Sequence, residues 1–226
     1  MPIGDAGNQI TIWSIVSLLV GTIISAIVSY LLQRTSFAEA RRVKAQEKLE
    51  ERKTLGLTLL HKMIRMTSTL QILKDSLDEA FADAKANSIT GQPWQFVMPV
   101  VNFLDRVKFT PEELTFLMLL DRNLFNDFGP FDDIHNNLLG VFELYRTKRS
   151  ALTDILPAEM KGNLGTTGVS LNEILKLAPK AAELDFLIEG MVQRTRQDSK
   201  EAWELLDRLQ KSLNKEFNLN LRIVPK

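Results

Sequence analysis

The sequence predicts an all-α protein in three parts: a single N-terminal transmembrane helix, a charged helical stalk, and a cytoplasmic bundle of four or five main helices. Three observations carry this prediction. Residues 10–32 form an uninterrupted apolar run, residues 33–58 are dense in strong helix formers, and from Leu59 apolar residues recur at helical spacing. Prolines and glycines are clustered rather than dispersed, which leaves long tracts compatible with helix.

No Asp, Glu, Lys, Arg or His falls between Asp5 and Arg34. As a helix the 23 residues from Ile10 to Leu32 rise about 34 Å, enough for the ~30 Å hydrocarbon core with some tilt. Trp13 and Tyr30 stand near the two ends, where amphipathic rings prefer the headgroup level. Arg34, Arg41, Arg42 and Lys44 follow the run, opposed only by Glu39, whereas Asp5 is the one charged side chain before it. Positive charge collects on the cytoplasmic face. The sequence therefore predicts a short exterior tail, residues 1–9, and a cytoplasmic C-terminal domain in a cell membrane. Contact of Arg41, Arg42 and Lys44 with anionic headgroups is the functional reading of that flank; an ordinary positive-inside flank is the plainer one. A competing reading is a cleaved signal peptide ending at Ser36-Phe37-Ala38. The missing basic n-region and the length of the apolar run weigh against it.

Within the run, Ser17, Gly21, Ser25 and Ser29 recur every four residues, with Ser14 three before Ser17. Lipid tails are as apolar as leucine, so membrane helices associate through close backbone approach over small residues rather than through hydrophobicity. The stripe predicts a helix–helix packing face, with either a second copy or a different membrane helix as partner.

Composition bounds the rest. Net charge is zero, which gives no support to nucleic-acid binding. The absence of cysteine excludes disulfides, thiolate zinc sites and cysteine nucleophiles within this sequence. Two histidines, His61 and His135, leave little imidazole chemistry.

Along the chain, residues 33–58 interleave Glu47–Glu51 with Lys48–Arg52 and carry few apolar residues, as a solvated stalk would. From there Leu59, Met63, Met66, Leu70, Leu73, Leu77, Ala80 and Ala84 form a heptad seam, widened by Leu60, Ile64 and Phe81. A coiled coil needs only the narrow seam, so the extra width favours a bundle helix. Breakers from Asn87 to Pro93 end it. A short helix is expected over Trp94–Lys108, and Thr110-Pro111-Glu112-Glu113 reads as a capping box opening a helix that reaches about Asn123. Asn126–Pro130 reads as a break, and Phe131 opens a helix whose buried face is Leu138, Leu139, Phe142, Tyr145 and Leu152. Residues 157–170 read as a loop. A last helix is expected over Pro179–Phe217, leaving the core at the polar stretch Arg194–Glu201 or packing only at its two ends. The 218–226 tail alternates Leu219, Leu221 and Ile223 like a lone strand, and reads as a disordered tail rather than a docked one.

Chemistry is hard to find in this chain. The glycines at 162, 165 and 168 lack the strand and Lys-Ser/Thr context of a phosphate loop. Asp127-Phe128-Gly129 matches a kinase motif by letters alone, without its companion motifs. Asp132 and His135 share a helix face at i, i+3 and are the one weak pair of metal-ligand candidates. Two acids in a first turn are otherwise explained by the helix dipole, and a metal needs further ligands. No cofactor motif and no nucleophile–base arrangement is readable. The expectation is a single-pass, membrane-anchored interaction or scaffold protein, self-associating and presenting its bundle to a cytoplasmic partner. The alternatives are a membrane-anchored enzyme or a signal-relaying sensor.

Overall fold

The structure is a computed structural model that describes the backbone of residues 6–100, 105–156, 159–161, 164–166 and 171–223, and side chains at 18, 25, 28–100, 105–156 and 174–223. The chain is all-α, with six helices among the described residues. They are α1 (Ala6–Ala86), α2 (Pro93–Phe96), α3 (Pro111–Leu120), α4 (Arg122–Phe128), α5 (Phe131–Thr153) and α6 (Leu171–Phe217). Two three-residue strands, β1 (Glu159–Lys161) and β2 (Leu164–Thr166), pair antiparallel within the expected loop, Glu159 opposite Thr166 and Lys161 opposite Leu164. The chain divides into two compact units, one ending at Lys53 and one beginning at Thr54.

In the first unit every residue from 28 to 51 is exposed. Among the described residues no helix is long and apolar enough to cross a membrane. Of the expected span 10–32, the side chains of 10–17, 19–24, 26 and 27 lie outside the described residues, including Trp13, Ser14, Ser17 and Gly21.

The second unit is a helical bundle built on the α1 seam. Leu59, Met63, Met66, Leu70, Leu73, Leu77 and Ala84 are buried, with Leu60 widening the stripe as a bundle core requires. Packing begins at Leu55 and Gly56, a turn before Leu59. A Cβ on Gly56 would lie 2.6 Å from Leu213 Cδ2 and 3.1 Å from Phe116 Cζ, so α3 and α6 approach α1 closely there. One core gathers Leu59 to Leu70 with Phe116, Leu117, Leu124, Phe128, Phe131 and the Ala202–Leu213 face of α6. A second gathers Leu77, Val97, Tyr145, Leu152, Leu184, Ile188 and Met191.

Several boundaries differ from expectation, each for a physical reason. The expected helix over 94–108 stops after Phe96. Val97 turns extended at ψ 110°, and Pro99 disfavours helix at the residue before it. The helix expected to reach Asn123 ends at Leu120, because Asp121 caps the next one by accepting from the Asn123 and Leu124 amides at 2.9 and 3.2 Å. That helix fills part of the expected break and runs to Phe128. The last helix starts at Leu171, not Pro179. Leu177 and Leu184 anchor it to the second core on both sides of the proline, which offsets the lost backbone bond. Its polar middle does not leave the bundle: Thr195, Asp198 and Ser199 are buried. Of the tail, residues 218–223 dock rather than hang free, with Leu221 and Ile223 packed on the first core.

The capping box at α3 forms as written, with its glutamate buried and its threonine exposed. Thr110 Oγ1 accepts from the Glu113 amide at 3.3 Å, and Glu113 Oε2 accepts from the Thr110 amide at 2.7 Å and from Lys62 Nζ at 2.7 Å. Lys62 also donates to the Lys108 carbonyl at 2.8 Å, tying α1 to the entrance of α3. Glu113 is 2% exposed, and removing its carboxylate takes the partner of the Thr110 amide and leaves Lys62 with the Lys108 carbonyl. Replacing Glu113 by Leu is expected to cost about 2–3 kcal/mol, and Thr110→Ala about 1 kcal/mol. Urea unfolding followed by far-UV circular dichroism checks this. A Glu113→Leu variant as stable as the parent would remove the cap–lysine link from the account.

Candidate functional site

Two regions place the residues that the sequence singles out. The first is the exposed stretch of α1. Arg34, Arg41 and Lys48 recur every seven residues, so on a helix they share a face, and Tyr30, Phe37 and Lys44 lie on it as well. Glu39 and Glu50 fall on the opposite face, and Glu47 and Glu51 border the stripe beside Lys44. Tyr30, Arg34, Phe37, Ala38 and Arg41 together line a shallow recess of about 520 Å³. Arg42 lies to one side of this basic, aromatic stripe and is exposed like the rest. Ser25 and Ser29 of the small-residue stripe are exposed too.

The second region holds Asp132 and His135, and here the structure assigns the neighbours a different task. Residues 105–110 run extended beside α5, and side chains of α5 take up their backbone groups. Asn136 Oδ1 accepts from the Val107 amide at 3.1 Å while its Nδ2 donates to the Val107 carbonyl at 2.7 Å. One turn earlier, Asp132 Oδ2 accepts from the Phe109 amide at 3.1 Å. Two further residues hold the strap upstream: the Tyr145 hydroxyl donates to the Val97 carbonyl at 2.6 Å and Arg149 Nε to the Trp94 carbonyl at 3.0 Å. From α6, Asp185 Oδ1 accepts from the Trp94 amide at 3.0 Å. Asp132 is thus a backbone acceptor. Among the described residues no group of three or more His, Cys, Asp or Glu is placed to hold a metal.

His135 is fully buried; its Nδ1 lies 3.4 Å from Asn136 Oδ1, and its Nε2 has no hydrogen-bond partner. Burial holds its pKa below the ordinary imidazole range, against the Asn136 hydrogen bond and the Asp132 charge. A polar layer crosses the bundle between the two cores. Ser199 donates to Gln71 Oε1 at 3.1 Å, joining α6 to α1, and Arg194 donates to the Ile134 carbonyl at 3.4 Å, joining α6 to α5. Thr67 and Thr195 return their hydroxyls to the carbonyls of Met63 and Met191 in the preceding turns, and Asp198 sits 3.4 Å from Arg194. Burial pushes the Asp198 carboxyl up, opposed by Arg194. Sequence reasoning missed this layer. Its trace was the burial-compatible spacing of Thr195 and Ser199, one turn apart inside the polar run.

The bundle also bears a recess of about 1,030 Å³ lined by Phe81, Pro93, Phe186, Ile188 and Val192, with Phe186 74% exposed. Arg196 at its rim is engaged with Asp78 at 2.7 Å, which holds the Asp78 carboxyl below its ordinary range. Comparison with known protein families, curated proteins and solved structures finds no match for this chain.

Two measurements follow from this geometry. A histidine whose folded pKa is lowered takes up its proton more readily when unfolded. Stability is therefore full above the ordinary imidazole pKa of about 6.5 and is lost as pH falls from there toward the folded value. Asp198 has the opposite sign in a more acidic window: its stabilisation is present below the ordinary carboxyl pKa and lost as pH rises through the folded one. His135→Leu is expected to stabilise the bundle by about 1 kcal/mol at pH 7, and by more at pH 5. Denaturant midpoints at the two pH values check this, and an unchanged slope with pH would contradict it. Tyr145→Phe is expected to cost about 1–2 kcal/mol by stranding the buried Val97 carbonyl. The Tyr145 hydroxyl is pushed up to about 12 by burial, so this contribution is lost as pH rises from about 10 through that value.

Proposed function

We propose that the chain is a single-pass, membrane-anchored helical interaction protein. Residues 10–32 span a cell membrane with the N-terminus outside, and the bundle is held at the cytoplasmic face for protein partners. The observation that carries this reading is the exposure of Val28, Tyr30, Leu31 and Leu32 at 48, 64, 52 and 65%. These exposed apolar residues lie on most of the helix circumference, leaving the side of Ser29, and so broad an apolar surface needs lipid or protein around it rather than water. This stretch continues the uncharged run upstream, and Arg34 begins the cationic flank where a cytoplasmic headgroup region would lie. The face shared by Tyr30, Arg34, Phe37, Arg41 and Lys44 has the basic and aromatic character that anionic headgroups attract. Ser14, Ser17, Gly21, Ser25 and Ser29 supply the packing face for a second copy or another membrane helix. Exposed Phe186 is the apolar surface the bundle offers to a cytoplasmic partner.

The test is direct. Membranes from cells expressing the chain should retain it through alkaline carbonate extraction, and a C-terminal tag should stay inaccessible to external protease in intact cells. Release by carbonate would sink the anchor. Gly21→Leu is expected to lower self-association in membranes at least severalfold, as measured by energy transfer between labelled copies. An unchanged signal would take the small-residue stripe out of the reading.

A further inference from the structure

The bundle holds extended chain against its helices with one side-chain arrangement, used twice. On α5, Asp132 Oδ2 accepts from the Phe109 amide at 3.1 Å. Asn136, one turn on, accepts from the Val107 amide at 3.1 Å and donates to the Val107 carbonyl at 2.7 Å. On α6, Gln210 Oε1 accepts from the Ile223 amide at 3.0 Å. Asn214 accepts from the Leu221 amide at 2.9 Å and donates to the Leu221 carbonyl at 3.0 Å. In each pair the first side chain takes an amide, and the second, four residues on, brackets the residue two earlier. The held segment therefore runs antiparallel to the helix. Four residues of helix rise about 6.0 Å and two residues of extended chain about 6.7 Å, so the two repeats match. Phe109, Leu221 and Ile223 pack on the first core as a result.

Glu189 and Gln193 repeat the Asp132–Asn136 order on α6: a carboxylate, then a carboxamide four residues on. Each side chain is one methylene longer, and Gln210 shows that the longer reach makes the same kind of bonds. Both are exposed, and among the described residues neither makes a side-chain hydrogen bond or ion pair. Both line the recess of about 1,030 Å³ whose apolar wall is Phe81, Phe186, Ile188 and Val192. Ile188 belongs to the second core, and Phe81 and Val192 pack against it, so the recess carries that core to the surface. Its rim is negative: Asp185 and Glu189 line it, and the charge of Arg196 is taken up by Asp78 at 2.7 Å.

We propose that this recess docks an extended segment of a cytoplasmic partner protein, with apolar residues at alternate positions and lysine or arginine between them. Gln193 brackets the amide and carbonyl of one residue, and Glu189 accepts from the amide two residues later. The apolar side chains enter between Phe81 and Phe186, and the cations meet Asp185 and Glu189. An amphipathic helix could cover the same wall, but it satisfies its own backbone and would leave Glu189 and Gln193 nothing to bond. The inference rests on the reading of the bundle as a partner-binding domain and is independent of the membrane run.

The probe is the acetylated, amidated peptide Lys-Val-Lys-Phe-Lys-Val-Lys carrying a fluorophore. It is titrated against the full-length protein in zwitterionic detergent micelles, with empty micelles as the blank. Anisotropy is expected to show saturable binding. Glu189→Ala combined with Gln193→Ala keeps the fold, because both side chains are exposed and alanine favours helix, and should weaken binding about tenfold. Methylating the backbone nitrogen of the peptide's phenylalanine should weaken it severalfold, and exchanging its lysines for glutamates should abolish it. Absence of saturable binding, or binding unchanged by the double variant, overturns the proposal. A higher mass for the native protein than for the double variant at matched concentration would put a second copy in the recess and overturn it too. A Lys/Leu amphipathic helical peptide that binds, and loses affinity with Phe186→Ala, when the extended probe does not bind would overturn the extended occupant alone and leave the partner-binding reading standing. Carbonate extraction tests the anchor separately.

Discussion

The bundle depends on one constraint: extended segments laid against helices carry backbone amides and carbonyls that no neighbouring strand satisfies. An unpaired buried peptide group costs as much as a lost hydrogen bond, so such a segment stays only if side chains supply the missing ladder. Asp132 and Asn136 do so for Phe109 and Val107, and Gln210 and Asn214 do so for Ile223 and Leu221. In both cases the extended chain runs antiparallel to the helix. The amides bond to donor and acceptor of one residue at once, as a partner strand would. This lets Phe109, Leu221 and Ile223 cap the first core without a sheet.

The same constraint explains the polar layer. Arg194 to Glu201 is too polar to pack as an ordinary apolar stripe, yet α6 stays against the bundle because each buried hydroxyl finds an acceptor. Thr67 and Thr195 use the carbonyls of the preceding turn, and Ser199 uses Gln71. His135 is the exception: its Nε2 has no hydrogen-bond partner, and burial holds its pKa below the ordinary imidazole range.

Several of the described acids are engaged in structure: Glu113 with a cap and a lysine, Asp132 and Asp185 with amides, Asp78 with Arg196. What the chain exposes is a helix with an apolar, then basic and aromatic face, and a bundle with an outward phenylalanine.

The sequence by itself determined the helical class, the α1 seam residue by residue, the end of that helix near Asn87, the capping box at Thr110 and the inward face of α5. Each is a local matter, of periodicity, of a breaker cluster or of a side chain bonding three residues away, and local physics is written in local sequence. The apolar run at 10–32 is equally plain in composition. Only the tertiary structure decided the rest. Whether Val97, Val107 and Phe109 would be helical or extended depended on Tyr145, Asn136 and Asp132, which lie 23 to 48 residues away. Whether Thr195 and Ser199 could be buried depended on Gln71, 128 residues from Ser199, and on carbonyls within α6. The tail could read as a free strand until Gln210 and Asn214 stood one turn apart beneath it. The β1–β2 hairpin had its own hint, Gly162-Asn163 between two short runs, set aside among the glycines. Asp132 and His135 looked like ligands because carboxylate and imidazole at i, i+3 suit a metal. The fold engaged the first with a backbone amide and buried the second, since satisfying a polar group is a property of the space around it and not of its neighbours in sequence.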